Sequence, residues 1–521
     1  MKPVSTLLFT LGILLLSKVV CAQNYANTLI PNRLVEQNIF LKKKADQTLP
    51  PTFENIKTKL PEPSWPNRQD VVRCYWKAWE TAFSNLHGVT PENRFLSPYI
   101  DPAFNQHIFM WDTGFMVLFG RYGQHAFNFQ SSIDNFYGRQ EKDGYICREI
   151  SELNGNKLFE KFDASSTGPN ILPWAEWQYY LNLNDTERLK SVFAPLLAYY
   201  QWFRTNRSWP DGSYFSTGWG CGMDNQPRVP TGYSNQFSTA FMSWIDTTLQ
   251  QIFAGKTLIA MAKKLNRQDE VKDVIAEVEL LTNYVQNKMW SDQDNFFYDR
   301  YRDGKLSDVK SIASYWALLA EVVPKDKLLG FIGHLENPNE FARLHRVPTL
   351  SADNAGFDPE GGYWRGGVWA PTSYMVLSGL TKYKQDSIAY IIAMNHLDNV
   401  VKVFNQTGSL WENYAPDKVK GKDQKDLVGW TGLVPISVLF EYVFGLRPDV
   451  PENTVIWDVR LTDKFGVKKY PFKESGLIDF WCNSRKKNTD RPKIKVHSNV
   501  PFVLKLIWNG GSEIINIKPD K

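Results

Sequence analysis

From position 69 onward, apolar residues fall at helical spacing. Val71, Val72, Tyr75, Trp76, Trp79 and Phe83 recur one, three and four residues apart and mark one face of a helix over 69–86. The same period predicts helices over 112–122, 124–140, 172–182, 186–206, 235–265, 268–288, 309–322, 325–335, 367–381, 384–405 and 431–444. The links after every second helix in this series are short. They hold Gly123, the turn from Asn182 to Thr186, Asn266-Arg267 and the Pro324 turn. The alternate links are long and rich in Gly, Trp and charge. A short link joins antiparallel neighbours at one end, so the long links emerge together at the other. Such hairpins closing on themselves give an all-α fold, an (α/α)6 barrel over 69–446 with its loops gathered at one face.

The flanks read differently. Residues 23–68 carry repeated Pro and Lys with weak periodicity, an extended arm. After Arg447, apolar and polar residues alternate over 454–461, 493–497, 502–508 and 513–517. This predicts a small β appendage over 447–521, and with no chemical constellation in it a structural cap is expected. At the other end, Lys2, an apolar run over 7–16 and Val20-Cys21-Ala22-Gln23 fit a secretory signal peptide over 1–22. The run is short of the roughly 20 residues that a bilayer span needs. Cys21 offers a lipid anchor as the rival reading, but Val20 stands where a small residue is usual. The expectation is an exported protein, periplasmic or extracellular, with no membrane span.

Composition sharpens this picture. The chain is 14% aromatic with 19 Trp, many in polar, Gly-rich stretches where stacking on a flat ligand face suits them better than a core. A net charge of +5 with no basic block argues against nucleic acid. Cys74, Cys147, Cys221 and Cys482 are too scattered for a metal knuckle and are expected to be buried free thiols. His is sparse, so neither a metal nor a cofactor is expected, and the oligomeric state stays open.

Chemistry concentrates in the long links. One reads Gly218-Trp219-Gly220-Cys221-Gly222-Met223-Asp224-Asn225-Gln226-Pro227-Arg228, with glycines that permit close ligand approach just before an acid. The bland alternative is a turn-stabilising Asp. A later link carries Trp411-Glu412-Asn413-Tyr414, a carboxylate between aromatics and too far from the next helix to cap it. Between them lies Tyr363-Trp364-Arg365-Gly366-Gly367-Val368-Trp369, where Trp can stack on a sugar and Arg can fork hydrogen bonds to its hydroxyls. Trp111-Asp112 opens the second helix, where the acid also suits the helix dipole. Glycoside hydrolysis needs two carboxyl groups flanking the scissile bond, and Asp224 with Glu412 is the best pair by context.

In these four runs the chain resembles glycoside hydrolase family 63, the group of processing α-glucosidase I and the bacterial mannosylglycerate hydrolases. Trehalases are more distant relatives. The motifs keep family order over roughly 69–445. The resemblance implies an (α/α)6 barrel and an inverting mechanism, with Asp224 as general acid and Glu412 as general base. It also implies exo attack on an α-linked glucose or mannose. Trp111, Asp112, Trp174, Trp219, Gly222, Arg228, Tyr363, Trp364, Arg365, Trp369 and Trp411 are the candidate substrate-binding residues. The chain departs from the family in two ways. Residues 23–68 are too short for the N-terminal β-sandwich of larger members, and Asp224-Asn225 stands where glucosidases carry two acids. A sugar phosphorylase or polysaccharide lyase on the same barrel, or an inactive sugar-binding protein, are the alternatives.

Overall fold

The structure, a computed structural model, describes residues 30–520; the expected signal peptide lies outside the described residues. The long helices are α1 (Gln69–Ser84), α2 (Met110–Gly120), α3 (Leu172–Leu183), α4 (Thr186–Asn206), α5 (Ile245–Leu265), α6 (Lys272–Lys288), the short α7 (Trp316–Leu319), α8 (Ala370–Lys382), α9 (Asp386–Thr407) and α10 (Val434–Val443), whose turns are wide π turns. They form a helical barrel. In its inner ring α2 packs on α3, α3 on α5, α5 on α7, α7 on α8, and α8 on α10 with the turn Gly429–Leu433, which closes back on α2. Outside this ring α1 covers α9 and α10, α4 covers α3 and α5, α6 covers α5, and α9 covers α8.

Burial explains which helix goes where. Every residue of α2 and α10 is buried, as befits an element touched on all sides. Helix α6 buries only Val274, Val278, Leu281 and Val285, the single stripe of an outer helix.

Three expected helices fail or shrink. Residues 124–140 form tight 3-10 turns over Phe129–Ile133 and one helical turn over Asp134–Tyr137. The stretch expected at 309–322 is reduced to Ile312–Tyr315 and Trp316–Leu319, all buried and therefore without an amphipathic stripe. The helix expected from 235 begins only at Ile245. Before it, Ser234, Ser238 and Thr239 side chains accept hydrogen bonds from the backbone N–H groups of Phe237, Ala240 and Phe241. These side chains offer the backbone an alternative to the helix.

The β content exceeds a small appendage, which corrects the all-α expectation. Strands β1 (Glu62–Ser64), β2 (Leu446–Asp449), β3 (Thr454–Asp458), β4 (Phe465–Phe472), β5 (Gly476–Cys482), β6 (Ile494–Ser498), β7 (Phe502–Trp508) and β8 (Gly511–Ile517) make two four-stranded sheets. One has the order β1-β4-β5-β6 and is antiparallel; the other has the order β2-β3-β7-β8 with a parallel β3/β7 pair. Strand β1 comes from the stretch read as an arm, which also holds 3-10 turns over Arg33–Gln37 and Ile39–Lys42. The sheets seat on the barrel through named contacts. The indole Nε1 of Trp457 donates to the Phe444 carbonyl at 2.9 Å, and the Tyr470 ring packs against Tyr122 and Phe440. Cys74, Cys147, Cys221 and Cys482 are buried free thiols. No helix among the described residues is long and apolar enough to cross a membrane.

Candidate active site

At the loop face lies a cleft of about 420 Å³, within the range of small-ligand pockets. Five of the six long links line it. His107 and Phe109 come from the first, Arg148, Glu149 and Phe159 from the second, and Trp219, Gly222 and Asp224 from the third. Tyr363 and Trp364 come from the fifth and Glu412 and Trp430 from the sixth, while Trp111 and Asp112 stand at the start of α2.

The loop bearing Asp224 is fixed from both sides. Gly222 has φ +78, and a Cβ there would sit 3.2 Å from the Trp111 indole nitrogen, so glycine lets the backbone lie against that ring. Next in the chain, the Asn225 side chain donates to the Gly362 carbonyl at 3.0 Å and accepts from the Trp364 N–H at 3.0 Å. The Gln226 amide donates to the Thr349 carbonyl at 2.7 Å and accepts from the Ser311 hydroxyl at 2.7 Å. Arg228 closes the loop with bidentate bonds to Asp246 and Asp299, all three fully buried.

Glu412 sits on the short strand Trp411–Tyr414, which pairs with Gly421–Lys425. Its carboxylate accepts from the Gln424 N–H at 3.3 Å, and the Tyr363 phenol nearby favours its charged form. Tyr363 holds a positive φ of 63, unusual for a side-chain-bearing residue, at the turn that presents its ring to the cleft. Trp364 stacks face to face on Trp369 with centroids 3.9 Å apart and planes 3° apart.

Electrostatics set these acids apart. Burial pushes the Asp224 carboxyl up to about 6, against a smaller lowering by Arg148. Burial likewise pushes Glu412 up to about 7, with the charges of Asp423 and Asp224 adding to it. Asp112, also enclosed, is raised well above the usual carboxylate range by burial and then by Glu412.

Of the candidate residues, the cleft gathers Trp111, Asp112, Trp219, Gly222, Asp224, Tyr363, Trp364 and Glu412. The others lie elsewhere. Trp174 is buried in the barrel, its ring stacked on Tyr374, and borders a cavity with Arg121 and Glu441 instead. Arg228 is committed to its two buried carboxylates, and Trp369 stands behind Trp364. Arg365 points away to Asp358, and the Trp411 indole donates to the Thr407 hydroxyl.

Sequence reasoning missed His107, Arg148, Glu149 and Trp430. Their order in the chain gives no local cue. Pairing of strand His107–Phe109 with Glu149–Ser151 brings the first three together, and His107 Nδ1 then meets Glu149 at 2.8 Å. Arg148 lies 4.5 Å from the Phe159 ring centroid and 5.8 Å from that of Trp219. Among the described residues one group has metal-ligand chemistry, His87, Asp101 and Glu152, with ligand atoms within 4.8 Å of one another. None of the three lines the cleft.

Residues 105–427 match the family described as mannosylglycerate hydrolase MGH1-like glycoside hydrolase domain. The chain is 25% identical over 382 residues to an uncharacterized protein of Borreliella burgdorferi, covering 70% of this chain and 77% of that one. It is 23% identical over 335 residues to a probable mannosyl-oligosaccharide glucosidase of Schizosaccharomyces pombe, covering 57% of this chain and only 40% of the relative. Among solved structures it is similar in fold to a GH63 mannosylglycerate hydrolase of Thermus thermophilus in complex with glucose. There the TM-score is 0.57 at 18% identity, covering 69% of this chain and 98% of that one.

Proposed function

Because the chain belongs to the mannosylglycerate hydrolase MGH1-like glycoside hydrolase family and is a glycoside hydrolase, we propose that it is an exported, exo-acting, inverting enzyme. Its substrates are α-linked glucose- or mannose-containing oligosaccharides. The closed order of the inner helices supports reading the barrel as (α/α)6, with residues 69–446 as the catalytic unit and the sheets as its cap. Export rests on the sequence pattern of residues 1–22 alone.

One observation carries the catalytic reading. Asp224 and Glu412 come from separate loops, line one cleft, and are both raised toward neutrality by burial. In the proposed reaction the Asp224 proton passes to the glycosidic oxygen as the bond to the anomeric carbon breaks. A water attacks that carbon from the opposite face and gives its proton to Glu412. The Tyr363 phenol, beside Glu412 in the cleft lining, favours the ionised form of the base. Trp111, Trp364 and Trp430 supply apolar ring surface for the sugar in the first subsite.

Charge narrows the substrate class. The single guanidinium lining the cleft, Arg148, lies 3.5 Å from Glu149, so no unmatched cation is left to meet an anionic group. Such a lining favours a neutral oligosaccharide over a glycoside with a carboxylate aglycone. The test is a panel of α-glucosides and α-mannosides, neutral and anionic, assayed without phosphate. Asp224→Asn and Glu412→Gln are expected to lower kcat by about a hundredfold or more on whichever glycoside the wild type cleaves. A Glu412→Gln enzyme near wild-type rate would overturn the assignment of the base.

A further inference from the structure

The cleft does not end at its catalytic acids. At its mouth, half-buried Trp219 packs edge-on against Phe237 with ring centroids 4.8 Å apart, and the Phe237 side chain is 55% exposed. On the other flank Phe159 lies 6.3 Å from Trp219, beside Leu158, which is 40% exposed. Apolar surface thus continues outward from the cleft wall without a break at Trp219.

This outer surface is built, not loose. Gly218 and Trp219 donate backbone hydrogen bonds to the carbonyls of Asn235 and Gln236 at 3.1 and 3.0 Å. A Cβ on Gly218 would lie 2.1 Å from the Asn235 carbonyl oxygen and 2.8 Å from that of Asp224. Only glycine therefore lets the Phe237 segment and the Asp224 segment meet at this point. Around Phe237 itself the Ser234 hydroxyl accepts from the N–H groups of Gln236 and Phe237, and the Ser238 N–H donates to the Ser234 carbonyl. An exposed phenylalanine is held in a defined place, pinned to the loop that carries the catalytic acid.

Resting on the proposed glycosidase activity, we infer that Trp219 and Phe237 form an outer sugar subsite, a stacking platform for the second unit beyond the scissile bond on the leaving-group side, which a trisaccharide fills and a disaccharide does not reach. A pyranose presents an apolar C–H face that suits an aromatic ring, and a platform fixed before binding loses little entropy when the sugar docks. The occupant is the substrate's own chain, because the platform is continuous with the cleft through Trp219. The enzyme then favours trisaccharides over disaccharides of the same linkage.

The experiment compares kcat/KM for an α-linked disaccharide and the matching trisaccharide, maltose with maltotriose and the mannose pair in parallel. Phe237→Ala is expected to lower the trisaccharide-to-disaccharide ratio by about threefold to tenfold, carried by KM, and Phe237→Trp to restore it. Titration of Asp224→Asn with maltotriose, read by calorimetry, should show the same loss when Phe237→Ala is added. An unchanged ratio in a wild-type-like active Phe237→Ala enzyme overturns the subsite while leaving the hydrolase reading intact. Absence of hydrolysis by the wild type on both series overturns the functional reading first, and the subsite with it.

Discussion

At the scale of single residues, the site turns on two carboxyl groups that share a cleft and differ in environment. Asp224 stands at about 6 and Glu412 at about 7, both lifted by burial, which disfavours the charged form. The pair titrates in two steps. Below the lower step both acids are protonated and no base remains; above the upper step both are ionised and no acid remains. The plot of kcat/KM against pH is therefore expected to be a narrow bell with limbs near 6 and 7. Glu412 stands the higher of the two, so the productive arrangement, with Asp224 protonated and Glu412 ionised, is the less favoured one before substrate binds. The limbs are unaffected by that internal balance. Residual activity in Glu412→Gln should keep only the limb that falls as pH rises, since only the acid then titrates. A flat profile from pH 5 to 8 would contradict this account. Both acids stood out in the sequence because each sits among aromatics and glycines. Glu149 did not, since its role at the cleft depends on a strand pairing between distant links.

At the scale of elements, the Asp224 loop is held by its partners more than by its own sequence. Arg228 looked like a sugar-binding residue because it follows the acid in a Gly-rich run. In the fold it spans Asp246 at the start of α5 and Asp299 on a neighbouring link, with its guanidinium 4.5 Å from the Trp244 ring centroid. Removing the cation leaves two buried carboxylates unpaired, which costs about 3–5 kcal/mol. Arg228→Met is expected to lower the Tm by several degrees and to depress kcat by freeing the Asp224 loop, without any contact to substrate. A variant with wild-type Tm and a raised KM alone would return Arg228 to direct binding. The same logic explains the misread helices. Helical period was a sound guide for the amphipathic outer α4, α6 and α9. It overreached at 124–140 and 309–322, where the apolar residues are buried in short turns against the inner ring. It also overreached at 235–244, where hydroxyl side chains cap the backbone locally.

At the scale of the whole molecule, alternation of short and long links was legible and placed the loops on one face. The size of the β portion was not. Strand β1 is three residues from a Pro-rich stretch, and it is a strand only because β4 offers it a partner. Trp65 adds to that seat by donating to Asp463 at 2.8 Å. The cleft in turn is a property of the closed barrel, since five links must converge before Asp224 and Glu412 face the same space. In the proposed reaction that convergence sets a water and a leaving group on opposite faces of one sugar. The most direct measurement is proton NMR of the first sugar released from an α-linked disaccharide, recorded before mutarotation equilibrates the anomers. An inverting enzyme releases the β-anomer first. Release of the α-anomer first would mean retention, and with it the assignment of Glu412 as the base that activates water would fall.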